Sequence, residues 1–213
     1  MKSIHKFLLI VALLLCFINK LSLAQNFEHD SKQIVHALHN HGYLSFEVDY
    51  DYYDSKHPDI KLDSLKGFYK LHKNSYWGVL DNAEFMQNDR YKIVVEQEIK
   101  SIHIGKNVHA KVDLNNPVQL DSTLLTQIKS AEFIKGNKKD IDGYKLFFKD
   151  DMPYKSMVIL FSTKTFLIKK MSFLMDDIVN DEPIVALVNI RLSHYSTAPV
   201  SADYFSISRY VQV

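Results

Sequence analysis

The chain has 213 residues, 46% of them hydrophobic and 24% charged, which suits one packed domain and is short for two. Twenty-six basic residues face 25 acidic ones, and there are only 6 glycines, 5 prolines and 1 cysteine. This balance excludes charged disordered tails, collagen-like and Pro-rich low-complexity chains, and an internal disulfide framework.

The N-terminus reads as an export signal. Lys2 and Lys6 form a positive n-region, Phe7 to Phe17 an apolar stretch, and Ser22-Leu23-Ala24 a small-residue cleavage site. Cleavage is expected after Ala24. The apolar stretch is short for a bilayer span. Cys16 lies inside it and follows Leu15, where a lipobox requires a small residue. The expected organisation is a signal peptide at 1–24 and one domain at 25–213, exported and soluble in the periplasm of a Gram-negative bacterium. Without the three leader lysines, 23 basic residues face 25 acidic ones, a net charge of −2. Such a balance gives no general attraction for nucleic acid, nor a polybasic membrane mode. Only transient membrane contact is expected.

Phe27 to Asn40 predicts a helix, with Phe27, Ile34 and Leu38 on one face. Tyr43 to Tyr53 then alternates. Leu44, Phe46, Val48, Tyr50 and Tyr52 share one face, while Ser45, Glu47, Asp49 and Asp51 share the other. Asp54 to Asp59 is a turn. Further strands are expected at Lys66–Lys73, Tyr76–Leu80, Ala83–Gln87, Tyr91–Ile99 and Ser101–Ile104. Asn115 to Pro117 interrupts the pattern. Asp121-Ser122 then caps a predicted helix to about Ser130, with Leu124, Leu125 and Ile128 on its buried face. Strands resume at Tyr144–Lys149, Ser156–Ser162, Phe166–Met175 and Ile184–Tyr195, with a polar loop through Asp176-Asp177 and Asn180 to Pro183. Tyr204–Ser208 predicts a closing strand. The fold class is mainly β (α+β): one curled antiparallel sheet, a half-open barrel of about ten strands, enclosing two or so helices.

This order resembles the periplasmic lipoprotein carrier superfamily (LolA/LolB-like). Lys73-Asn74-Ser75-Tyr76-Trp77 resembles its polar turn followed by an aromatic strand. Glu84 through Tyr91 resembles its strand–turn–strand segment. Asn116-Pro117-Val118-Gln119-Leu120, running into Leu124-Leu125, resembles the entry to its middle helix. Met157 to Phe161 with Leu167 to Phe173 resembles its later hairpin. Tyr204-Phe205-Ser206-Ile207 resembles its closing strand, with Ile207 where the second aromatic is expected. The carriers hold a helical lid with an arginine on an early strand. Here the arginines are Arg90, Arg191 and Arg209, none on the first two predicted strands, a departure that leaves the fold reading intact. The resemblance implies a hydrophobic ligand or a lipidated protein as partner.

The residues offer little chemistry. Glu47, Asp49, Asp51 and Asp54 line one strand and its end as a solvated face rather than straddling a substrate. His29, His36, His39 and His41 fall near the first helix without a cysteine to complete a zinc set. There is no G-x-S-x-G elbow, P-loop or H-E-x-x-H. The expectation is a non-enzyme with no catalytic residues, no metal and no cofactor. The expected ligand surface is the apolar strand face: Leu44, Phe46, Val48, Tyr50, Trp77, Ile93, Val95, Leu146, Phe148, Ile159, Phe161, Met171 and Phe173. Leu124, Leu125 and Ile128 would form a lid helix over it. The alternative is an envelope scaffold of the same fold that binds a protein partner and has a filled core.

Overall fold

The computed structural model describes residues 27–107, 122–150, 152, 154–179 and 181–211. The expected leader, with Cys16, and the Asn115-to-Pro117 interruption lie outside the described residues. Residues 27–39 are helical (α1). The strands are β1 (Leu44–Asp54), β2 (Lys61–His72), β3 (Ser75–Leu80), β4 (Ala83–Gln87), β5 (Tyr91–Glu96), β6 (Ser101–Lys106), β7 (Ile128–Lys135), β8 (Ile141–Phe148), β9 (Tyr154–Ser162), β10 (Ile168–Val179) and β11 (Glu182–Ser196). A short helix, α2 (Ser122–Thr126), precedes β7.

All eleven strands form one antiparallel sheet in the order β6-β5-β4-β3-β2-β1-β11-β10-β9-β8-β7. Two meanders, β1 to β6 and β7 to β11, are joined where β1 pairs with β11. The mainly β, single-sheet architecture expected from the alternation is present, with β6 and β7 at the edges.

The pleat separates two clusters. Leu44, Phe46 and Val48 of β1 point to the same side as Tyr69 and Leu71 of β2. The same cluster gathers Tyr144, Leu146 and Phe148 from β8, Met157, Ile159 and Phe161 from β9, and Met171 and Phe173 from β10. Helix α1 covers this side with Ile34 and Leu38, each 2% exposed. It is anchored across the sheet: the Tyr144 hydroxyl donates to the Asp30 carboxylate at 2.7 Å, and Phe27 meets the Tyr144 ring edge-on at 5.0 Å.

The opposite face is mostly polar around β1. Asp51 is buried there between the cations of Lys61 and Arg191, which hold its carboxyl below the ordinary range, the hydrogen bond from Lys61 most of all. The acidic face expected to be solvated is therefore partly closed, because β2 and β11 each bring a base beside it.

Four expectations are corrected. Ile128, expected on the middle helix, opens β7, and the helical stretch ends at Thr126. Strand β8 is buried at Tyr144, Leu146 and Phe148, and β7 supplies partners for its outer backbone groups. Second, β2 begins at Lys61 rather than Lys66. Third, Asp176-Asp177 and Glu182-Pro183 belong to the β10–β11 hairpin rather than a loop, since long-strand pairing persists to Val179↔Glu182. Fourth, the expected strand at Tyr204–Ser208 is a pair of 3-10 turns, Ala202–Phe205 and Ile207–Arg209. Ser201 and Ser206 accept from Asp203 and Ser208 backbone N–H groups, a local pairing that competes with a strand.

Candidate functional site

Beyond the reach of α1, the apolar face continues to the ends of β1 and β2 and of β10 and β11. There a recess of about 380 Å³ opens. Tyr50 and Tyr52 come from β1, Leu65 lies opposite Tyr50, and Val188 of β11 lies opposite Tyr52. Leu62, Asp63 and Ser64 of β2 and Asp177 and Val179 of β10 complete the wall. Its volume falls within the range of small-molecule sites.

Local irregularity makes the wall. The β1–β2 register runs Tyr52↔Asp63 and then Tyr53↔Lys61, so Leu62 is an extra residue. Such a bulge re-aims side chains. It brings both Leu62, 45% exposed, and Asp63 to the recess. Lys61 beyond it is turned to Asp51 on the other face.

The polar groups of the wall are tied down. The Tyr52 hydroxyl donates to Asp177, whose other oxygen accepts the Ile178 N–H at 2.8 Å. These bonds, the phenol's first, hold the Asp177 carboxyl below its ordinary value. Burial, then the bonded carboxylate, pushes the Tyr52 phenol up to about 12. Burial also raises the Tyr50 phenol well above its ordinary value, with Tyr69 adding to it. Both phenols are neutral hydrogen-bonding groups at physiological pH.

Of the residues expected to bind ligand, Tyr50 alone lines this recess. Leu44, Phe46, Val48, Leu146, Phe148, Ile159, Phe161, Met171 and Phe173 lie in the packed cluster beneath α1. Of the expected lid residues, Leu124 is in that cluster, and Leu125 and Ile128 pack at its margin. Trp77, Ile93 and Val95 are on the opposite face. Tyr69 lies opposite Gly78 on the α1 side, so Trp77, one residue earlier, points away, and register carries Met86 and Ile93 with it.

There they form a second cluster with Phe205. The C-terminal segment is fastened on this side through Glu84. Its carboxylate accepts from Trp77 Nε1 at 2.6 Å, from the Tyr210 hydroxyl at 2.7 Å and from Arg209 Nε at 3.2 Å. The Lys70 ammonium sits 3.3 Å from the Tyr204 ring centre.

Tyr52 and Val188 continue stripes legible in the sequence, Leu44 to Tyr52 and Val188 to Leu192. Leu62 and Leu65 were hidden, because they precede the strand expected from Lys66 and the bulge shifts the phase of β2. Among the described residues, no three His, Cys, Asp or Glu side chains gather closely enough to hold a metal ion. No helix among them is long and apolar enough to cross a membrane.

No family model matches the chain, and no curated protein matches it. Similar solved structures exist. A LolA superfamily protein from Nitrosomonas europaea is 8% identical with a TM-score of 0.44, covering 85% of this chain and 98% of that one. A DUF1329 family protein from Desulfovibrio piger is 11% identical with a TM-score of 0.43, covering 85% and 98%. The MucA/MucB complex of Pseudomonas aeruginosa gives 12% identity and a TM-score of 0.47, covering 87% of this chain and 63% of that one.

Proposed function

We propose that the protein is an exported, non-enzymatic carrier that reversibly holds the apolar part of a lipid, acyl chain or lipidated protein in the recess at the open end of its sheet. The observation that carries this reading is an apolar recess of about 380 Å³ on the sheet face whose packed cluster α1 covers with Ile34 and Leu38. Affinity would come from removing hydrocarbon from water, about 0.8 kcal/mol per CH₂. No covalent step and no cofactor take part. The backbone ladder between β1 and β11 holds the floor of the recess fixed, and the Tyr52–Asp177 bond is a side-chain link across it.

The scaffold reading has one observation in its favour. Most of the residues expected to line a cavity are packed against one another. A partner protein would then use the sheet surface and leave the recess empty.

Native mass spectrometry of the mature protein, purified from a periplasmic extract without detergent, tests the carrier reading. A retained mass that denaturation releases as a lipid or acylated peptide supports it. A clean apo mass, together with failure to take up a neutral long-chain probe, overturns it in favour of the scaffold.

A further inference from the structure

The chemistry around the recess says which head group its ligand carries. The sequence at the β1–β2 and β10–β11 connections and the strand ends beside them holds seven carboxylates (Asp54, Asp59, Asp63, Asp176, Asp177, Asp181, Glu182) against two lysines (Lys56, Lys61). Lys61 is committed to Asp51 on the other face. Asp176 is paired with Lys155 and Asp54 with His57. Asp63 and Asp177, the two carboxylates of the wall, make no ion pair among the described residues. Asp177 is fixed by the Tyr52 hydroxyl and the Ile178 N–H. Its negative charge is therefore held at the recess without a cation to balance it.

An anionic head placed here would meet like charge on both sides. A cationic head would meet opposite charge, and the wall includes Tyr50 and Tyr52, aromatic residues of a type that favours a cation over an anion. We propose that the recess selects an amphiphile with a cationic head, its chain lying against Tyr50, Leu65 and Val188 and its head beside Asp63 and Asp177. This rests on the carrier reading and narrows it, since free fatty acids and acidic lipids become poor ligands.

Three probes with one chain length separate the two readings: dodecylamine, dodecanamide and laurate, titrated calorimetrically below their micellar concentrations at pH 7.5 and low salt. The amine should bind about tenfold more tightly than laurate, with the amide between them. The preference should shrink in 0.5 M sodium chloride, where exposed charges are screened. Asp63→Asn, at an exposed position, and Asp177→Asn should each reduce the ratio of amine to laurate affinity and leave amide binding in place. If Asp177→Asn does not fold, Asp63→Asn alone reads the effect. Equal binding of all three probes, or tighter binding of laurate, overturns the charge selection while the carrier reading stands. Failure of all three, the neutral amide included, overturns the carrier reading and this inference with it.

Discussion

Tyr52 and Asp177, 125 residues apart in the chain, are joined by a hydrogen bond from phenol to carboxylate at the wall of the recess. One residue comes from the first meander and the other from the second. The bond therefore reaches across β11, which lies between β1 and β10 in the sheet. It couples the geometry of the recess to the protonation of two side chains.

Tyr52→Phe should cost about 1 kcal/mol in urea denaturation at pH 7, the usual worth of such a bond. Its pH dependence is more telling. Asp177 has a depressed carboxyl in the fold, so its contribution is present above the unfolded value of about 3.9 and is lost as pH falls through the folded value. Tyr52 is raised to about 12, so its contribution is full below about 10 and is lost as pH climbs toward 12. The advantage of wild type over the variant should be largest on the plateau between these limits and fall away toward both ends. A difference that stays constant from pH 3 to pH 12 contradicts the assignment.

Val188→Trp should fill the recess. Val188 lies between Tyr52 and Phe173 in register, and a larger ring has nowhere else on that face to go. Dodecanamide binding should fall at least about tenfold, while the melting temperature moves by a few degrees at most, as the ring occupies open volume rather than a packed core. Unchanged binding would place the ligand elsewhere.

The single tryptophan provides an internal control. Trp77 lies on the face opposite the recess, against Tyr204 and the C-terminal segment. Ligand uptake should leave its emission nearly unchanged. Phe205→Ala should shift the emission to the red and destabilise the fold by about 3 kcal/mol, because it removes the buried anchor of that segment. A large emission change on ligand binding, with the C-terminal segment still docked, would mean that the probe binds near Trp77.

Asp51→Asn should cost about 1–2 kcal/mol, less than a fully buried pair, since Lys61 and Arg191 are about half exposed and can be solvated. Because the folded carboxyl is depressed, the wild-type advantage should be present above about pH 4 and fade as pH falls further. Acid titration of the two proteins by far-UV circular dichroism measures this directly.

Gly78→Ala tests the α1-covered face. A Cβ at Gly78 would fall 2.5 Å from the Tyr69 ring, which lies directly across the β2–β3 pair. Phe46 of β1 stacks against the same ring from its other side at 5.9 Å, and Tyr69 is 1% exposed, so the ring cannot withdraw freely. Thermal denaturation should show a loss of about 1–3 kcal/mol. A neutral result would mean that the ring is loosely held.

Much of the fold follows from local pattern. The alternation from Leu44 to Tyr52 dictates a strand with one apolar face, because a side-chain period of two leaves no other way to bury those residues together. The first helix declares itself by Ile34 and Leu38, four residues apart. What local pattern cannot carry is the pairing of distant segments. An apolar stripe has the same form whichever side of the sheet it faces, so Trp77, Ile93 and Val95 could be placed opposite Leu44 and Phe46 only by the register from Tyr69 through Gly78 to Met86. Ile128 became a strand residue because β8 needed an edge partner, a demand that arises only once β8 is buried. The recess is the furthest from local pattern. It exists because α1 ends short of the hairpin tips and because one bulge at Leu62 turns two consecutive residues toward it, both of them consequences of how separate elements meet in space.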